Sequence, residues 1–254
     1  MIMTLICILF TIAFLCEYID ATTGMGYGTL MAPILLILGF SIAQIVPVLL
    51  LSQMVCGVSA CYFHQKFKNA DFNPKNNHTN DAKKALIFTI FGSIAMISAL
   101  FIVISIPQQY LIMYVGITIT FIGIITVLQK KFQLSNKMLL IMGGFSAFNK
   151  AVSGGGFGPV ITSGQIMSGS KTNNAVAITS FSETLLSALG FICYLVFMGG
   201  FDLYLAFLVI ISGLLATPLG ALHAKKLSNK KSANKIIGII ILALGPLTLL
   251  KCFL

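Results

Sequence analysis

The chain has 254 residues, 57% of them hydrophobic and only 9% charged, with a mean hydropathy of +0.99 and a formal net charge of +10. So little polar surface excludes a water-soluble globular domain. All the cationic charge comes from lysine, placed in short stretches between apolar runs. That is the pattern of topology determinants, so no nucleic-acid partner is expected.

Taken in chain order, apolar segments run over 1–19, 29–38, 41–63, 85–106, 110–128, 138–148, 159–167, 174–198, 203–222 and 236–253. Lipid forces the backbone to satisfy itself, so each predicts a helix. The stretch 1–15 has the hydrophobicity of a signal peptide but no basic start and no small-residue cleavage site, which predicts a retained membrane segment. Segments 29–38 and 159–167 are too short to cross a bilayer, which takes roughly 20 residues. Each follows a glycine cluster. The six cysteines lie in or beside apolar runs, with no CxxC spacing and no clustered histidine, so no metal and no cofactor is expected.

The two glycine clusters are related. Thr23-Gly24-Met25-Gly26-Tyr27-Gly28 aligns with Ser153-Gly154-Gly155-Gly156-Phe157-Gly158. At the same offset Gly39 falls on Gly169, Ser52 on Ser182, Gln53 on Glu183 and Asp20 on Lys150. This is an internal repeat, with 1–129 as the first membrane repeat, 130–137 as a cytoplasmic linker and 138–254 as the second repeat.

Lysine sets the orientation. Lys66, Lys68, Lys75, Lys83 and Lys84 form one basic stretch, Lys130, Lys131 and Lys137 a second, and Lys225, Lys226, Lys230, Lys231 and Lys235 a third. The turns 107–109 and 199–202 carry none. The positive-inside rule makes the three basic stretches cytoplasmic. Segment 138–167 must then leave the cytoplasm and return, as a hairpin broken at Gly154–Gly158, and 1–38 must form its counterpart. The reading is an all-α integral membrane protein of two inverted repeats, each a broken or re-entrant hairpin plus three transmembrane helices, an architecture of secondary transporters. The alternative makes each hairpin one kinked helix and the repeats parallel. It would place either 66–84 or 225–235 outside.

The clusters mark the candidate site. Backbone N–H groups of Gly24, Gly26, Gly28, Gly154, Gly155, Gly156 and Gly158, at the starts of two short helices, could bind an anion, or the glycines could serve close helix packing. Thr23, Ser153, Ser52 and Ser182 are polar residues matched across the repeats and could complete the site. Among ionisable residues in apolar surroundings, Asp20 and Lys150 could pair with each other. Alternatively Lys150 meets an anionic substrate while Asp20, Glu17 or Glu183 takes a proton. No nucleophile–histidine–acid set, P-loop or metal spacing occurs, so an enzyme is not expected.

The repeated stretches, with Pro33 and Gly39 after the first, Gly169 and 175–180 after the second, and Gly213 and Pro218-Leu219-Gly220 late in the chain, resemble the sulfite exporter TauE/SafE family of membrane transporters. Met25 and Tyr27 depart from its usual triple glycine. The resemblance implies export of a small sulfur-containing anion (sulfite, thiosulfate or an organosulfonate) across the cytoplasmic membrane. The alternative is a non-transporting assembly or sensor protein, whose glycines would serve packing alone.

Overall fold

A computed structural model describes residues 2–73, 81–128, 135–227 and 231–251. The described residues form ten helices and no strand: α1 (Ile2–Thr23), α2 (Tyr27–Ile37), α3 (Ile42–Lys66), α4 (Asp81–Ser105), α5 (Gln108–Leu128), α6 (Asn136–Ser153), α7 (Phe157–Met167), α8 (Thr172–Met198), α9 (Leu203–Leu227) and α10 (Lys231–Leu250). Each predicted segment falls on a helix among the described residues. Of these, α1, α3, α4, α5, α8 and α9 are long and apolar enough to cross a membrane. Large apolar side chains such as Ile94, Phe121 and Phe207 face outward, whereas Lys150, Asn149, Gln53 and Glu183 are buried. Water would reverse that distribution; lipid requires it.

The ends of two helices differ from expectation. The apolar segments stop at 19 and 148, but α1 and α6 continue through Asp20 and Lys150 to the edge of each glycine cluster. Within lipid a polar side chain does not stop a helix, because unwinding would expose unpaired backbone groups. The hydroxyls of Thr22, Thr23 and Ser153 donate back to the carbonyls of Tyr18, Ile19 and Asn149, which keeps them satisfied inside the helix. At 11 residues each, α2 and α7 reach about 16 Å, half of a hydrocarbon layer.

Packing follows one rule of exchange. The pair α1–α9 is matched by α6–α4, α3–α9 by α8–α4, and α1–α2 by α6–α7. The self-matched pairs α3–α8 and α5–α10 are both antiparallel. In the first, Leu50 packs by Gly190, Ser187 donates to Gln53, and Gly57 meets Thr184. In the second, Gly116 meets Leu249, Gly123 meets Leu242 and Gly238 meets Val127. Small residues at these positions let the two backbones approach closely, as membrane helices require. A two-fold exchange of antiparallel partners fits inverted repeats.

The helix directions fit inverted rather than parallel repeats. Cys56 and Ser59 bond Ile210 and Thr217, and Asn69 donates to the Ala221 carbonyl, so α3 and α9 run parallel. Phe88 and Gly92 of α4 lie by Gly143 and Ala147 of α6, which makes that pair parallel too. Asn174, at the start of α8, donates to Asp81 at the start of α4. The end of α3, the starts of α4, α6 and α8, and the end of α9 therefore share one side, with Lys66, Lys68, Lys83, Lys84, Lys137 and Lys226. Lys75, Lys130, Lys131 and Lys230, and most of the 130–137 linker, lie outside the described residues. Lys251 sits on the opposite side, where its ammonium bonds the Leu36 carbonyl at the end of α2. A cation is stabilised at a helix C-terminus.

Candidate functional site

The two hairpins meet tip against tip. Gly24 and Gly154 hold φ of 68° and 76°, and Gly26 and Gly156 hold 155° and 89°, so both breaks are built from left-handed residues at matched positions. The intervening residue is not left-handed. Position 25 therefore accepts a methionine, and the departure from triple glycine leaves the break intact. Gly155 is glycine for another reason: a Cβ there would overlap the backbone of Gly28. Likewise a Cβ on Gly28 would overlap the Gly154 carbonyl oxygen, and one on Gly158 would lie 2.6 Å from the Gly24 carbonyl oxygen. These reciprocal contacts are the packing role for glycine.

Hydrogen bonds tie the tips together. Gly156 N–H donates to Thr29 Oγ1 at 3.0 Å, Thr162 Oγ1 donates to the Gly24 carbonyl at 3.1 Å, and Gln53 Nε2 donates to the Gly154 carbonyl at 3.0 Å. Several of the predicted anion-binding amides are thus already engaged. Gly24 and Gly154 N–H donate to the carbonyls of Asp20 and Lys150, and Gly155 N–H to Ser153 Oγ. The start of α2 meets the protein's own carboxylate, since Tyr27 N–H donates to Asp20 Oδ1 at 3.2 Å.

The charged residues gather beside the tips. Lys150 has no exposed surface. Its ammonium donates to Glu183 Oε1 at 2.9 Å and to Gln53 Oε1, so its ion-pair partner is Glu183 rather than Asp20. Glu17, Asp20, Gln53, Gly57, Ala60, Ser180 and Glu183 line a cavity with room for about one water molecule. Glu17 is buried at the cavity wall. The cavity wall therefore carries three carboxylates, one of which, Glu183, is paired with Lys150 outside the lining.

Other predicted residues lie apart from the cavity lining. Ser52 Oγ bonds the Tyr27 hydroxyl at 2.7 Å. Ser182 Oγ donates to the carbonyls of Ala85 and Ile178, because Phe157, which stands where Tyr27 stands in the first repeat, has no hydroxyl to meet it. Thr23 and Ser153 stabilise the helix ends. Thr29 and Thr162, which cross-link the tips, escaped sequence reasoning: neither has a hydroxyl at the matched position, where Pro159 and Ala32 stand. Gln53 was visible as the partner of Glu183 under the repeat, but its contact with Lys150 was not.

Two crossed, broken hairpins with a buried ion pair at their contact define a multi-pass membrane transporter fold. The model of the sulfite exporter TauE/SafE family matches residues 9–247, and the chain belongs to that family. Neither a curated protein nor a solved structure matches it.

Proposed function

We propose that the protein is a secondary carrier that exports a small sulfur-containing anion, such as sulfite, thiosulfate or an organosulfonate, across the cytoplasmic membrane. The observation that carries this reading is Lys150: a cation without solvent exposure, placed where two inverted broken hairpins cross. Burying an ion pair is costly, and a protein needing only packed helices would be as stable with apolar residues there. The substrate sits between the tips, against Lys150 and Gln53, with Gly28 and Gly158 at its edge. Glu17, Asp20 and Glu183 are the groups available to take protons. The two repeats, 1–129 and 138–254, rock against each other to expose the site alternately. On the basic side, hydrogen bonds join Asn173 to Asn69, which follows α3, and Asn174 of α8 to Asp81 of α4.

The test is uptake of labelled sulfite, thiosulfate and sulfonates into liposomes holding the full chain, with Lys150→Ala as control. Saturable flux of at least one anion, lost in the variant, is expected. Absence of flux for all of them would sink the carrier reading and favour an assembly or sensor role.

A further inference from the structure

The cluster around Lys150 constrains how an anion can be bound. Its ammonium is already held by the Glu183 carboxylate at 2.9 Å and by Gln53 Oε1. An arriving anion meets no free cation and reaches Lys150 only by displacing Glu183. A displaced carboxylate that stays buried cannot remain ionised without a partner. The cavity lining offers no second cation; it adds Glu17 and Asp20 from α1. Asp20 is engaged with Tyr27 N–H. Glu17 stands at the cavity wall, with Cys16, Cys56 and Tyr27 as the next titratable groups around it. No charged residue of α2, α7 or α9 is in the lining. Among the described residues lining the cavity, the ionisable groups besides Glu183 are thus both carboxylates, Glu17 and Asp20.

We infer that Glu183 couples the carrier to protons as a cotransporter: a monoanion binds Lys150 only together with one proton, which goes onto the Glu183 carboxylate. The inference rests on the anion-carrier reading above. The charges balance. Before binding, the site holds an ammonium and a carboxylate; afterwards it holds an ammonium, a monoanion and a neutral carboxyl. The buried net charge is the same in both states, so the loaded site crosses the membrane no more charged than the empty one. On the far side the Lys150–Glu183 pair re-forms and releases the proton with the anion. By linkage, each ligand raises the affinity of the other by the same factor. An anion accumulated inside would carry protons out with it. Proton–anion exchange in opposite directions would need the anion to bind with Glu183 still ionised, which leaves two negative groups on one buried lysine.

The experiment uses the full chain in liposomes enclosing a pH-sensitive dye, with a sulfonate lacking an amine, a monoanion throughout the range used. Inward sulfonate flux should bring one proton per anion. It should be insensitive to a potassium-diffusion potential and should fall by up to about tenfold per pH unit, the limit for one proton per anion. Glu183→Gln should lose both the proton movement and the pH slope. The wild-type proton and potential readings stand even if that variant does not fold. If only sulfite is carried, the same one-proton difference is read between wild type and Glu183→Gln, which cancels the proton riding on bisulfite itself; with thiosulfate, a dianion, the one-proton difference remains but the flux becomes sensitive to the potential. Protons moving opposite to the anion, or potential-sensitive flux without protons, would overturn the coupling while leaving the carrier. No flux of any of the three anions would overturn the carrier reading, and the coupling with it.

Discussion

The first and second glycine breaks share a backbone and differ in charge. Both place left-handed glycines at the same two positions, and each presents a glycine to the carbonyl of the other. Yet Asp20 in the first break stands where Lys150 stands in the second, and Gln53 where Glu183 stands. The first break uses its carboxylate on its own helix, at Tyr27 N–H. The second uses its ammonium on α8 and α3. The two breaks share a frame, and the difference at two matched positions supplies a buried, asymmetric charge cluster.

The largest effect should come from the shared frame. Gly155→Ala drives a methyl group into the Gly28 backbone, which cannot rotate away, and should destabilise by about 3 kcal/mol or more. Thermal unfolding in detergent should show it, with loss of monodisperse protein. Met25→Leu, at the matched position, should change stability by under about 1.5 kcal/mol. Equal effects would mean that the two tips are not packed as described.

The charge difference should come next. Lys150→Met leaves Glu183 buried without its cation and should lose about 3–5 kcal/mol, with much of that loss restored in the double variant Lys150→Met/Glu183→Gln. Asp20→Asn retains an oxygen for Tyr27 N–H, so its loss should be nearer about 1 kcal/mol. A double-mutant cycle followed by chemical denaturation would separate these values. Similar losses for Lys150→Met and Asp20→Asn would remove the asymmetry.

Smaller still is the aromatic difference. Tyr27→Phe makes the first break resemble the second and removes the bond to Ser52, for about 1 kcal/mol. Adding Ser52→Ala to Tyr27→Phe should cost little more, and a fully additive pair would contradict the bond. Least disturbing is a test of the frame's inversion. Single cysteines at Gln65 and Lys226, both exposed, should label from one side in a background without the native cysteines, and one at Gly200 from the other. Labelling of Gln65→Cys and Lys226→Cys from opposite sides would restore parallel repeats.

Apolar run length and glycine spacing by themselves determined the ten helices, because in lipid a helix is the one local solution for these segments. They also determined the half-length of α2 and α7 and the pairing of the two breaks. Lysine placement anticipated a common side for the basic ends. Tertiary structure alone decided which groups meet. Lys150 aligns with Asp20 under the repeat, and from sequence those two made a natural ion pair. The actual partner, Glu183, lies on α8, and the choice follows from how helices cross rather than from any local pattern. The anion-binding role read for the amides was similarly narrowed by Asp20, Ser153 and Thr29, whose oxygens reach several of them first. Periodicity records what a segment needs from its solvent. Which buried charge faces which is set by side-chain reach across three helices, a distance that sequence does not encode locally.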